Sequence, residues 1–66
     1  MDDLEYRHVL VKCRIKNVNI EIIEYKYDGH TPFFVAKKGN AETYTSELDH
    51  AKHLFWLWLN ENIKLL

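Results

Sequence analysis

The C-terminal third of the chain constrains the fold most, because no glycine or proline interrupts it. This pattern predicts a helix over residues 47–64, with Thr45-Ser46 as its N-cap. Glu47 and Asp49 in the first turn suit the positive end of the helix dipole. At about 100° per residue, the apolar side chains fall within roughly 140° of arc and predict one core-facing stripe. Its members are Leu48, Ala51, Leu54, Phe55, Trp58, Leu59, Leu65 and Leu66.

Two apolar side chains of this helix lie outside the stripe. Leu57 falls in the middle of the polar side and Trp56 at its boundary. One surface leucine is ordinary, but a tryptophan and a leucine together favour a contact with another protein. We predict an interface with Trp56 and Leu57 as anchors and His53 and Asn60 as a polar rim. The alternative is that Trp56 folds back over the edge strand of the sheet.

Two alternating segments predict the first β-hairpin. Residues 7–16 place β-branched and apolar side chains on one side, and residues 20–27 alternate with a slip in phase. A loop over residues 16–19 and a bulge at Ile22-Ile23 would correct the slip. Val11 would then lie opposite Tyr25, and Val9 opposite Tyr27, all on the core face.

The middle of the chain predicts two shorter strands. The segment 28–32 contains Asp-Gly and the only proline, so it is predicted to be a turn. Residues 33–37 are predicted to be the third strand. Gly39-Asn40 predicts a tight hairpin that sets Lys37 opposite Glu42. The residues after it form either a short fourth strand or an extended lead-in to the helix.

These elements predict an α+β fold of the order ββββα. An antiparallel meander of three to four strands would be covered on one face by a single C-terminal helix. Sixty-six residues have room for one domain, divided into an acidic tail (1–5), a sheet (6–45) and a helix (46–66). The adjacent Phe33 and Phe34 must point to opposite faces. One of them, with Leu10 and Ile23, is therefore a candidate apolar patch on the open face of the sheet.

Composition indicates the cellular compartment of the protein and excludes strongly charged classes of protein. Nine basic residues against ten acidic ones exclude a polycationic or polyanionic protein. A single cysteine cannot form an internal disulfide, and the acidic start lacks the apolar run of a signal peptide. The longest apolar run, Leu54–Leu59, spans about 9 Å as a helix, against about 30 Å of hydrocarbon in a bilayer. We expect a cytoplasmic protein with no membrane span.

The sequence offers little for catalysis or metal binding. His50 and His53, with Asp49 nearby, are two possible metal ligands and a carboxylate, but no third ligand is set by spacing. The alternation places Cys13 in the core, where burial hides a thiol. The chain contains no glycine-rich phosphate loop. We therefore predict that it is not an enzyme and has no cofactor and no metal site.

The alternative to protein binding is nucleic-acid binding through a basic stripe on the first strand. Its outward side chains could follow a phosphate backbone. Glu21 opposite Arg14 and Glu24 opposite Lys12 are expected to cancel part of the charge, and no outward aromatic residues are evident there. The stripe consists of Arg7, Lys12, Arg14 and Lys16.

The sheet-to-helix segment also invites a comparison. Residues 33–55, with a hairpin turn, Thr45-Ser46 and a helix containing Ala51, loosely resemble the arm-binding domains of tyrosine integrases and plant-type DNA-binding domains. Those domains are usually more basic, and we claim neither family. The plan of a tiny chain without a catalytic motif is also similar to phage-encoded inhibitors of host proteins. We therefore predict a homodimeric protein-binding module, a regulator or inhibitor of a larger protein, paired through its helices or its sheet edges.

Overall fold

The computed structural model describes residues 3–64 and contains four strands followed by one helix. The elements are β1 (Leu4–Ile15), β2 (Val18–Tyr27), β3 (Phe33–Lys38), β4 (Ala41–Thr45) and α1 (Leu48–Lys64). The strands are antiparallel neighbours in the order β1-β2-β3-β4, and α1 packs on one face of the sheet. The predicted ββββα fold is therefore confirmed, and the fourth strand forms. The first hairpin is much longer than the second, which gives an elongated molecule of 45 × 20 × 16 Å.

The first hairpin closes through a two-residue turn, so the predicted loop over 16–19 is wrong. Lys16 and Asn17 both have positive φ, 51° and 67°, as a type I′ turn requires. Ile15 pairs with Val18 and Cys13 with Ile20. Near the turn, the register differs from the prediction by two residues. An even shift leaves every side chain on its predicted face, so Cys13 still packs against the core.

This hairpin has two register irregularities, at Glu5 and at Leu10, and both lie in β1 and not at Ile22-Ile23 as predicted. Val9 pairs with Ile23 and Val11 with Ile22, which leaves Leu10 as the extra residue. Strand β2 therefore alternates without interruption, and its tyrosines lie on the face opposite α1. The expected core pairs of Val11 with Tyr25 and Val9 with Tyr27 do not form. A bulge in either strand restores the register, and the alternation alone does not say which strand carries it.

Strand β1 begins within the segment that we expected to be an acidic tail. It starts at Leu4, which pairs with Tyr27 at the far end of β2. One residue earlier, the carbonyl of Asp3 accepts a 2.7 Å hydrogen bond from the backbone N–H of Asp28. The first hairpin is thus held together as far as the turn that follows β2.

The second hairpin matches the prediction. It turns at Gly39-Asn40, where Gly39 has a φ of 60°, a conformation that glycine adopts without steric strain. Val35 pairs with Tyr44, and Lys37 pairs with Glu42. The side chains of the latter pair lie 3.8 Å apart on the sheet surface.

The helix begins one residue later than predicted, after a local capping arrangement. The carbonyl of Glu47 accepts the backbone N–H of Ala51 at 3.3 Å. The N–H of Glu47 in turn donates to the Thr45 hydroxyl at 3.1 Å. Thr45, the last residue of β4, therefore connects the sheet directly to the start of the helix.

The core lies between α1 and the central strands. Its buried members are Ile20, Ile22, Ala36, Ala51 and Phe55. The partly buried side chains packed against them are Cys13, Val18, Phe34, Leu48, Leu54, Trp58 and Leu59. The predicted core stripe of the helix is therefore confirmed up to residue 59, whereas Leu65 and Leu66 lie outside the described residues.

One polar side chain also lies within the stripe. Asn62 is only 7% exposed. Its Nδ2 donates a 2.8 Å hydrogen bond to the carbonyl of Trp58, one turn earlier in the helix. This bond compensates for burying the amide, which explains how an asparagine occupies a position where the sequence pattern suggests an apolar residue.

Candidate protein-binding surfaces

The four residues predicted as an interface all lie on the solvent side of α1. Trp56 is 58% exposed and Leu57 is 45% exposed, and His53 and Asn60 are exposed beside them. We call these four residues the helix surface. Trp56 follows the core residue Phe55, and a step of about 100° carries it out of the core stripe.

The position of the Trp56 indole is fixed partly by its neighbour. Its ring meets the Phe55 ring edge-to-face, with centroids 5.8 Å apart and planes at 86°. Ile63, 48% exposed, lies two turns further along the same side of the helix. The indole is thus oriented by contact with the core, yet more than half of it remains accessible to a partner.

The open face of the sheet, opposite α1, carries an aromatic cluster, two of whose members, Tyr25 and Tyr27, were predicted to lie on the core face. Phe33 stacks against Tyr25 at a centroid distance of 5.4 Å and against Tyr27 at 6.0 Å, with the planes within 13° and 5°. Tyr44 is tilted by 33° at 6.1 Å from Phe33. As predicted, Phe33 and Phe34 point to opposite faces, and it is Phe34 that joins the helix-covered core.

Arg7 extends this cluster onto the edge strand. Its Nε donates a 3.3 Å hydrogen bond to the Tyr25 hydroxyl, and its guanidinium carbon lies 5.8 Å from the centre of the same ring. Tyr25 therefore has Phe33 as one neighbour and a cation as another. Where the rings stack on one another, their faces are occupied, and Tyr44, 64% exposed, offers the most accessible ring.

An open pocket of about 460 Å³ lies at one end of the aromatic cluster. Two of its walls are the rings of Tyr27 and Phe33, and the turn between β2 and β3 supplies most of the remainder. The complete lining is Tyr27, His30, Thr31, Pro32, Phe33 and Ser46. Two adjacent rings and a proline make this end of the open face largely apolar.

The basic stripe is distributed along the whole of the first hairpin. Arg7 is held by Tyr25 near the start of β1, whereas Lys16 lies in the turn at its other end. Arg14 donates from Nη2 to Asn17 Oδ1 at 3.3 Å. The predicted pairs of Arg14 with Glu21 and Lys12 with Glu24 are wrong, since Arg14 lies opposite Asn19 and Lys12 opposite Glu21.

Glu24 has different partners from those predicted. It lies opposite His8, and its Oε2 accepts a 2.8 Å hydrogen bond from the Tyr6 hydroxyl. This hydrogen bond to the carboxylate raises the pKa of Tyr6 above its ordinary value. The rings of Tyr6 and His8 stack at 4.7 Å. The carboxylate is therefore part of a local cluster on the opposite side of the sheet from Lys12.

Strand β1 also exposes apolar side chains along the edge of the sheet. Their exposed fractions range from 39% to 48%. They are Leu4, Val9, Leu10 and Val11. Leu10 and Ile23 therefore do not form the exposed open-face patch that was predicted. Ile23 is completely buried, whereas Leu10 is exposed.

The histidine pair on α1 has a local structural contact. Nδ1 of His50 lies 3.3 Å from the Thr45 hydroxyl that also contacts the start of the helix. Among residues 3–64, no three or more His, Cys, Asp and Glu side chains come together in a group that could hold a metal ion. Within the same residues, no helix is long and apolar enough to cross a bilayer.

Comparisons with protein-family models, with curated proteins and with solved structures gave no match to this chain. The function of this chain is therefore inferred from its own surfaces.

Proposed function

We propose that this chain is a non-enzymatic protein-binding module that forms a homodimer and acts as a regulator or inhibitor of a larger protein. The observation that carries the proposal is the exposure of Trp56 and Leu57, 58% and 45%, side by side on a helix whose opposite side is packed on the sheet. Tryptophan is enriched among the residues that dominate binding energy at protein interfaces.

The occupant of the helix surface is a second copy of the chain. The rim residues His53 and Asn60 lie equally far along the helix on either side of the Trp56-Leu57 pair. A surface that is symmetric about its own centre suits a twofold contact, in which both copies present the same residues. A domain of this size also buries only about 60% of its unfolded surface when alone, so pairing removes further apolar surface from water.

The larger protein would meet the open face, which a helix-to-helix dimer leaves accessible. This face combines the aromatic cluster with more basic than acidic side chains. The basic ones are Arg7, Lys12, Arg14 and Lys37, and the acidic ones are Glu21 and Glu42. A partner with an apolar centre and an acidic margin complements this arrangement. Occupying that partner's surface is how so small a chain would inhibit it.

Replacing both anchors tests the homodimer. We expect Trp56→Ala with Leu57→Ser to weaken self-association by at least about tenfold, because each anchor at the centre of an interface contributes about 1–2 kcal/mol or more. The fold should remain, since both side chains lie outside the core. Sedimentation equilibrium over a range of concentrations measures the association, and far-UV circular dichroism checks the fold.

The matched control removes an aromatic ring from the other side of the molecule. Tyr44→Ala deletes a side chain that is 64% exposed on the open face, and it should leave the oligomer unchanged. An unaltered association constant in the double variant would refute the assignment of the helix surface. A strictly monomeric wild-type chain would refute the homodimer.

Nucleic-acid binding is the second candidate, favoured by aromatic rings on the same face as Arg7, Lys12 and Arg14. It predicts that a fluorescent single-stranded DNA or RNA binds at low salt and dissociates steeply as salt rises. Arg7→Gln together with Lys12→Gln should reduce both the affinity and the salt slope. No change in anisotropy at low salt would remove this candidate. The mutual stacking of the rings, which limits base stacking, favours the protein partner.

A further inference from the structure

Strand β1 lies at one edge of the sheet, and beyond the bulge at Leu10 its backbone can hydrogen-bond to a further strand. The carbonyl of Asn19 accepts a 2.9 Å hydrogen bond from the N–H of Gly39, so the backbone groups of Asn19 point away from β1. In an antiparallel pair, directly opposite residues exchange either both hydrogen bonds or neither. Arg14, which lies opposite Asn19, therefore directs its N–H and C=O outward, and so does Lys12, two residues earlier.

A row of alternating charges crosses the open face and ends at this edge. Lys12 lies opposite Glu21, which lies opposite Lys37. Lys37 in turn lies opposite Glu42, with 3.8 Å between Nζ and Oε2. The sign of the charge thus changes from strand to strand and leaves a basic residue at the edge. Because opposite charges directly across neighbouring strands stabilise a sheet, an acidic residue would continue this row in a fifth strand.

The next row along β1 has the same preference. Arg14 is exposed and lies opposite the uncharged Asn19. Its Nη2 donates to the equally uncharged Asn17 at 3.3 Å, so neither of these neighbours offers it a negative charge. A second acidic residue, two positions from the first in the added strand, would complement the guanidinium.

The opposite side of the same segment is apolar. Val11, Cys13 and Ile15 alternate with the two basic residues, so they lie on the helix side of the sheet. Cys13 packs against the core, whereas Val11 remains 39% exposed. Apolar side chains of an added strand would cover more of this row. The edge is therefore complementary to a strand in which acidic and apolar residues alternate.

We propose that residues 11–15 of β1 bind an extended acidic segment of another protein as a fifth, antiparallel strand. The two residues of that segment that face Lys12 and Arg14 are acidic, and the residues between and beside them are apolar. Main-chain hydrogen bonds provide the affinity, and the alternating side chains provide the specificity. This inference rests on the proposed function, because it names the kind of segment through which the larger protein docks.

A second copy of the chain does not fit this edge. Residues 6–16 contain four basic residues and no acidic one. Two copies of segment 11–15 aligned over their whole length, parallel or antiparallel, place basic residues opposite basic residues, which destabilises the pair. The partner strand therefore comes from a different protein, and the helix surface that we assign to self-association lies on another element.

A synthetic peptide with the central sequence Val-Glu-Val-Glu-Val and a fluorescent label tests the proposal. Fluorescence anisotropy measures its binding to the full chain at low ionic strength. Lys12→Gln with Arg14→Gln should weaken the binding by about tenfold, because both charge pairs with the peptide are lost. Lys52→Gln, which removes an exposed charge on α1, should leave the binding unchanged. Circular dichroism checks the fold of each variant.

Backbone methylation of the peptide separates strand addition from charge attraction alone. In the antiparallel complex, the N–H groups of the two glutamates point to β1 and those of the valines point away. Methylating both glutamate nitrogens should weaken the binding by at least about tenfold, because two main-chain hydrogen bonds are lost. Methylating the nitrogens of the second and third valines, the matched control, should leave it nearly unchanged.

The other results would overturn the inference. Equal weakening by the two methylations would show that no strand is added, and weakening by the valine methylation alone would show a different register. No binding of the peptide up to about 1 mM, a very weak affinity, would also overturn it. If single-stranded DNA bound under the same conditions, the edge would be assigned to nucleic acid. Sedimentation tests the homodimer without the peptide, so the two failures can be told apart.

Discussion

Phe55→Ala should lower the free energy of unfolding by about 3–5 kcal/mol. The Phe55 ring is 6% exposed and packs within the cluster that joins α1 to β2 and β3. Truncating it removes the transfer free energy of the ring and leaves a cavity between helix and sheet. A core of this size rarely supplies more than about 3–5 kcal/mol of net stability, so we expect a largely unfolded chain at room temperature.

Urea denaturation followed by tryptophan fluorescence and circular dichroism measures this effect. Tyr44→Ala serves as the control, because it also deletes an aromatic ring but one that is 64% exposed. We expect the control to lose no more than about 1 kcal/mol. Equal unfolding midpoints for the two variants would contradict the assignment of Phe55 to the core.

Ile23→Ala should cost about 2–4 kcal/mol even though no helix covers its side chain. Ile23 is completely buried, but it lies on the open face, next to Val35 of β3, which is 1% exposed. Neighbouring side chains of the sheet, rather than α1, shield the Ile23 side chain from solvent. The variant therefore tests whether the open face has a packed layer of its own.

The cross-strand neighbour provides the matched control for this prediction. Val9 pairs with Ile23 but is 46% exposed, so Val9→Ala should cost less than about 1 kcal/mol. Chemical denaturation of the two variants side by side gives the comparison. If Ile23→Ala were as stable as Val9→Ala, the open face would lack a packed layer.

The helix and the second hairpin could be predicted from the sequence because local signals determine both. The apolar stripe of α1 repeats at helical spacing over several turns, so one misassigned position does not alter the face. Gly39-Asn40 sets the register of the second hairpin through the turn itself. The exposure of Trp56 and Leu57 follows from the same helical spacing.

The first hairpin could not be fully predicted, because its turn lacks a strong signal. Lys16 is an unusual residue at positive φ, and the loop was predicted to continue to residue 19. The apolar alternation also fits a bulge in either strand. Placing the bulge in β2 moved Tyr25 and Tyr27 to the wrong face, so the aromatic cluster of the open face was missed.

Asn62 could not be identified as a core residue for a related reason. Its burial depends on one hydrogen bond to the Trp58 carbonyl, and residue type alone assigns asparagine to the surface. Helical spacing places it between Ala51 and Phe55 on the wheel. Giving position more weight than residue type would have placed Asn62 in the core.

The bulge at Leu10 also affects how the molecule resists unwanted polymerisation. A sheet edge of twelve residues offers a long template to which further chains could add, strand upon strand, as fibrils grow. The extra residue breaks the regular spacing of the outward backbone groups near the middle of that template. An incoming strand can then match one half of the edge or the other, and fibril growth from this side of the molecule is correspondingly disfavoured.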